Sequence, residues 1–90
     1  MADRSAEGHY GELRAGYQLA ATLSGWTLRP LSRGVFEIQG SLQVVSSHWL
    51  EEGPLALVLE VPGKSWRWEG ARLSRAADRV TVRVQGRPRE

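Results

Sequence analysis

Ninety residues suffice for one hydrophobic core and leave no room for a second domain. With no cysteine, neither a disulfide framework nor a thiolate metal site can supplement that core, so four Trp, two Tyr and one Phe must supply much of it. The net charge of +2 is unevenly spread: residues 1–45 balance, 46–63 carry three acids and no base, and 64–90 hold eight bases against Glu69, Asp78 and Glu90.

Lys64 is the single Lys beside eleven Arg, and Asn is absent, a pattern that a GC-rich coding sequence produces. The arginine-rich final third therefore reads first as a solvated face and only second as a nucleic-acid surface. No stretch approaches the roughly 20 apolar residues of a membrane span. Met1–Ser5 lacks the basic-then-apolar order of a secretory signal. The expected setting is the cytoplasm, with no membrane partner.

Residues 1–12, through Gly8-His9-Tyr10-Gly11, follow neither a helical nor a strand period and are expected to form a flexible N-terminal arm. Residues 12–23 admit two structures. Leu13, Tyr17 and Ala20 would line one face of a helix, whereas Tyr17, Leu19, Ala21 and Leu23 alternate as in a strand. Ser24-Gly25 ahead of Trp26-Thr27-Leu28 resembles a two-residue turn, which favours a hairpin here over the helix.

Val35–Val45 alternates cleanly, with Phe36, Ile38, Leu42 and Val44 on one face and Glu37, Gln39, Ser41 and Gln43 on the other. Gly40, on the apolar face, predicts a bulge or bend. Ser46–Pro54 has room for one helical turn between Ser caps and Gly53-Pro54, leaving Trp49 as either a lid on the core or an exposed anchor.

Leu55–Val61 is apolar on both faces, as in a central or covered strand. Pro62-Gly63 then has the signature of a type II turn joining 55–61 to 65–69. Trp66 and Trp68 share one face of that second strand and Arg67 takes the other, with Gly70 expected to break or bulge it. Arg79–Gln85 turns three valines inward and Arg79, Thr81, Arg83 and Gln85 outward. Residues 86–90 are expected to be a loose C-terminal tail.

These elements make an all-β fold: one domain over 13–85, an antiparallel sandwich or partly open barrel of about six strands. The alternative is an α+β fold with a helix at 12–23.

Catalytic chemistry finds no pattern. His9 lies in the expected arm and His48 in a short connection, neither within a nucleophile motif. Metal-ligand spacing and a phosphate-cradling glycine loop are missing, and Glu51-Glu52 reads as a solvated pair. The chain is expected to be non-enzymatic, with no cofactor and no metal. Trp66 and Trp68 beside Arg67 match the way open barrels stack single-stranded bases, but alternation already assigns them inward, to a core that needs them.

Ser65-Trp66-Arg67-Trp68-Glu69-Gly70, followed by Ala71-Arg72-Leu73-Ser74-Arg75-Ala76-Ala77-Asp78 and the alternating Arg79–Val84, resembles strand-turn-strand segments in tail and baseplate components of tailed bacteriophages. The resemblance covers about a quarter of the chain. It implies a small β-module built into a viral particle, located in the virion or the host cytoplasm, with no functional residue carried over.

A barrel or sandwich with polar arms and exposed strand edges would assemble by strand addition or arm exchange. The function expected is a structural or interaction module, a subunit of a phage tail or virion assembly with protein partners, as a homo-oligomer or larger complex. The candidate interaction surface is Trp49, Arg67, Arg79, Arg83 and Arg87. The alternatives are a single-stranded nucleic-acid binder using Trp66, Trp68, Arg67 and Arg83, and a small regulator or inhibitor of a host protein.

Overall fold

The structure, a computed structural model, describes residues 5–76 and 79–90. Six antiparallel strands close into a barrel: β1 (Ala6–Ala15), β2 (Gln18–Pro30), β3 (Val35–Val44), β4 (Leu55–Val61), β5 (Lys64–Ala76) and β6 (Arg79–Gln85), in the order β1-β2-β3-β6-β5-β4. One helical turn, α1 (Ser47–Glu52), links β3 to β4. The chain is thus two three-stranded meanders, β1-β2-β3 and β4-β5-β6. They join through β3–β6 and β1–β4, so exchanging the two meanders leaves every pairing in place.

The expectation of a small all-β fold of about six strands holds, in its barrel form and closed rather than partly open. Closure shortens the exposed strand edges on which assembly by strand addition depended, because each strand is paired on both sides over part of its length; the first half of β1 pairs with β2 and not with β4.

Residues 12–23 are not helical, and their hairpin turns elsewhere than expected. β1 meets β2 at Gly16-Tyr17, with Gly16 at φ 65 and Ala15 paired to Gln18. β2 then runs straight through Ser24-Gly25 as one strand. Gly25, at φ 58, marks a bulge where the β2–β3 register shifts between Ser24 and Thr27. The inward positions Ala21 and Leu23 thereby change phase to Trp26 and Leu28. A glycine bulge and a two-residue turn leave the same break in alternation, which is why the sequence resembled a turn.

The same break hid the first strand. Ala6–Glu12, expected within an arm, form the first part of β1 and pair with β2 from Ala6↔Leu28 to Glu12↔Thr22. Inward positions pass from Ala6 and Gly8 to Gly11 and Leu13, and two of these four carry no side chain. At Gly8 the space belongs to the indole of Trp26, which is fully buried and whose Nε1–H donates to the Tyr10 carbonyl at 2.8 Å. Residues 1–4 of the expected arm lie outside the described residues.

In the second meander, the Pro62-Gly63 turn forms as expected, with Val61 paired to Lys64 and Gly63 at φ 81. Gly70 bulges β5 rather than breaking it: Leu57 pairs with Trp68 but Leu55 with Ala71, and the inward set shifts from Trp66 and Trp68 to Ala71 and Leu73. From Arg72 on the strand changes partner to β6, so the bulge is the corner at which β5 wraps around the barrel. In β3, Gly40 is not itself bulged. It faces the β2 bulge, where a Cβ would lie 3.1 Å from the Ser24 carbonyl and 3.2 Å from Leu23.

The C-terminal residues are tied down rather than loose. Arg67 and Arg89 exchange two backbone hydrogen bonds of 2.8 Å, Lys64 pairs with Glu90 at 2.9 Å, and Trp68 Nε1–H donates to the Gly86 carbonyl. The tail thus lines the stretch of β5 that β6 leaves unpaired.

Inside, Leu13, Leu23, Trp26, Ile38, Leu57, Leu59, Val80 and Val82 are fully buried. The inward faces of β2, β3 and β6 meet there in register, Leu28 opposite Ile38 and Ile38 opposite Val82. α1 packs against β1 and β2, and Ser46 caps it by accepting from the Trp49 amide. Its Leu50 points into the core. No helix among the described residues is long and apolar enough to cross a membrane.

Candidate functional site

With the interior filled by side chains, ligand-facing chemistry has to sit on the outside. Two surfaces stand out, one apolar and one basic.

The apolar surface is at the end of the barrel that carries the β1–β2 turn, the C-terminus of β3 and α1. Tyr17 is 99% exposed at the turn, Val45 55%, Val44 39% and Trp49 38%. Val44 pairs with Ala21, and both the Val45 and Ser46 amides donate to the Ala20 carbonyl, which sets this corner against the base of the β1–β2 hairpin. His48 packs edge-on against Trp49, ring centroids 4.9 Å apart. Short α1 cannot bury both Trp49 and Leu50: Leu50 takes the inward position and Trp49 stays partly in water. Trp49 is therefore exposed at the rim rather than a lid on the core. Exposed aromatic and branched residues clustered at one end are the composition of a protein contact.

The basic surface is the outer wall of β2, β3, β6 and β5. Register aligns one rung across all four strands, Arg29↔Glu37, Glu37↔Arg83 and Arg83↔Arg72. The next rung carries Thr27, Gln39, Thr81 and Ser74. Glu37 is only 6% exposed although it points outward, because arginines from both neighbouring strands fold over it. Arg29 donates from Nε and Nη2 to one carboxylate oxygen at 3.0 and 2.8 Å, and Arg83 reaches the other at 3.4 Å. Sequence placed Glu37 correctly on the polar face, but its two partners lie eight and 46 residues away and only strand register brings them together.

A separate polar cluster lines β1. The Tyr10 hydroxyl donates to Glu12 at 2.6 Å and Arg14 Nε donates to the other Glu12 oxygen at 2.7 Å. The hydrogen bond to the carboxylate holds the Tyr10 hydroxyl above its ordinary pKa, burial adding to it. The same bond from Tyr10, with that from Arg14, holds Glu12 below the usual carboxylate range against the opposing effect of burial.

The residues singled out from sequence do not converge. Trp49 and Arg79 lie at the helix end of the barrel, Arg83 on the wall, Arg67 and Arg87 toward the opposite end. Arg67 is ion-paired to Glu69 at 2.7 Å and its backbone is covered by the tail. Trp68 is 3% exposed with its indole N–H satisfied, and Trp66 stacks edge-on against it while packing on the core. Neither ring forms a free stacking platform, so the base-stacking form of nucleic-acid binding loses its contacts. His9 and His48 stand at opposite ends of the barrel, and Glu51 and Glu52 are both exposed on α1. Among the described residues no three His, Cys, Asp or Glu side chains come together as a metal site.

No family model, curated protein or solved structure matches this chain.

Proposed function

We propose that this chain is a non-enzymatic interaction module, a structural subunit that docks onto a second protein through the helix end of its barrel. The observation that carries this is the cluster of exposed Tyr17, Val44, Val45 and Trp49 on a barrel whose own core is already filled without them. Aromatic rings held on rigid elements give contact area at little entropic cost, and Trp is the residue most enriched at the centre of such contacts. Because barrel closure leaves no full strand edge, docking proceeds by side-chain packing rather than by strand addition.

The resemblance of 65–84 to phage tail and baseplate segments supports a particular setting, a subunit of a phage tail or virion. That segment spans most of β5 and β6, with residues 77–78 outside the described residues. A homo-oligomer or larger complex is the expected state in that setting.

Sedimentation of the purified chain, and of Trp49→Ala and Val45→Asp variants, tests this. Self-association or stable complex formation that both variants weaken is the expected result. A monomer at every concentration, together with unaltered incorporation of both variants into the native particle, refutes it.

A further inference from the structure

We infer that the outer wall holds a binding site for a phosphoryl oxyanion between Arg72 and Arg83. The two arginines sit directly opposite each other on β5 and β6, so their side chains leave the same face of the sheet at the same level. Like charges so placed repel, and hydrophobic packing does not explain them, because both side chains are exposed.

Glu37 offsets this charge only in part. Its carboxylate is committed to Arg29 by two short hydrogen bonds and gives Arg83 only a contact of 3.4 Å. Arg72 has no carboxylate within ion-pairing distance among the described residues. Arg72 and Arg83 line a depression of about 200 Å³, together with Val35, Gly70, Val84 and Gln85. The β5 bulge opens it: Gly70 contributes no side chain, and a Cβ there would meet nothing within 4 Å.

Two arginines flanking one small concavity can turn their planar guanidinium forks onto a phosphoryl group, which offers several oxygens to accept from both. Such a ligand removes the repulsion and takes the charge-assisted bonds that Glu37 cannot supply. The adjoining rung of Thr27, Gln39, Thr81 and Ser74 adds polar groups alongside, so the phosphoryl group could be free or part of a phosphodiester chain lying across the wall.

The test uses the full chain at low ionic strength, with two probes: inorganic phosphate followed by amide NMR shifts, and a fluorescein-labelled oligothymidylate followed by anisotropy. The expected result is binding that weakens with added salt and falls about tenfold in either Arg72→Gln or Arg83→Gln, with Arg14→Gln, on another wall, unchanged. Phosphate binding identifies a free oxyanion as the ligand, and oligonucleotide binding without phosphate binding identifies a phosphodiester backbone. In phosphate-free buffer Arg72→Gln should melt at or above the temperature of the parent, since one of two repelling charges is gone. Binding of neither probe, equal loss in Arg14→Gln, or a lower melting temperature for Arg72→Gln overturns the site.

Discussion

Replacing Gly8 with alanine adds one methyl group, yet its consequence separates a strand from an arm. An ideal Cβ at Gly8 would stand 2.6 Å from Cε2 and 3.0 Å from Nε1 of Trp26, and closer still to Cζ2. That ring is fully buried and held by its hydrogen bond to the Tyr10 carbonyl, so it cannot swing aside without giving up both. Overfilling a core costs about 1–3 kcal/mol, and weakening a buried hydrogen bond adds about 1 kcal/mol. Against this, replacing glycine lowers the entropy of the unfolded chain by about 0.4–1 kcal/mol. The net expectation is a loss of about 2 kcal/mol, which for a domain of this size lowers the melting temperature by roughly 10 °C. Urea unfolding followed by tryptophan fluorescence measures it, and a Trp26→Leu background should remove most of the penalty as a coupling energy. A neutral or stabilising Gly8→Ala would refute the placement of β1 against Trp26, because in an arm unstructured in both states the substitution has no net effect.

Glu37→Gln should cost about 1 kcal/mol in urea unfolding at low salt, since it leaves Arg29 and Arg83 facing each other without a shared carboxylate, and less at high salt because both guanidinium groups reach solvent. Tyr10→Phe should raise the Glu12 titration toward the ordinary carboxylate value in an NMR pH series, as it removes the largest cause of its depression. In the parent chain the lowered folded pKa of Glu12 makes its contribution to stability complete above the unfolded carboxylate value and lost as pH falls through the folded one; Tyr10→Phe should show less of that acid-side loss. Tyr10 works in the opposite sense, its raised pKa favouring the fold until pH climbs through the folded value. Gly63→Ala should destabilise by about 1–2 kcal/mol in thermal unfolding, because alanine at φ 81 is strained.

Legibility in this chain depended on how far each structural cause lies along the sequence. Val35–Val44 and Arg79–Gln85 keep an unbroken alternation, so local pattern sufficed to place both strands and their inward faces. The Pro62-Gly63 turn was equally local, since two adjacent residues with preset φ values specify it. Where a glycine shifted the phase, the pattern misled: Gly25 resembled a turn inside what is one strand, and the step from Gly8 to Gly11 concealed β1 altogether.

The candidate surfaces were less readable still. Trp49 could be named from sequence, but its position at the rim depends on Leu50 winning the inward place on α1. Arg83 was named without Arg72, because nothing in the spacing of the two shows that they stand opposite each other.

By itself, the sequence favoured an all-β chain over one with a helix at 12–23 and determined a basic final third, because period, turn chemistry and composition act over a few residues. Only the tertiary structure decided that the barrel closes, that Glu37 lies beneath two arginines, that Arg72 faces Arg83, and that the tail is fastened to β5. Each of these follows from strand register, which is set by how all the inward side chains fill one shared volume.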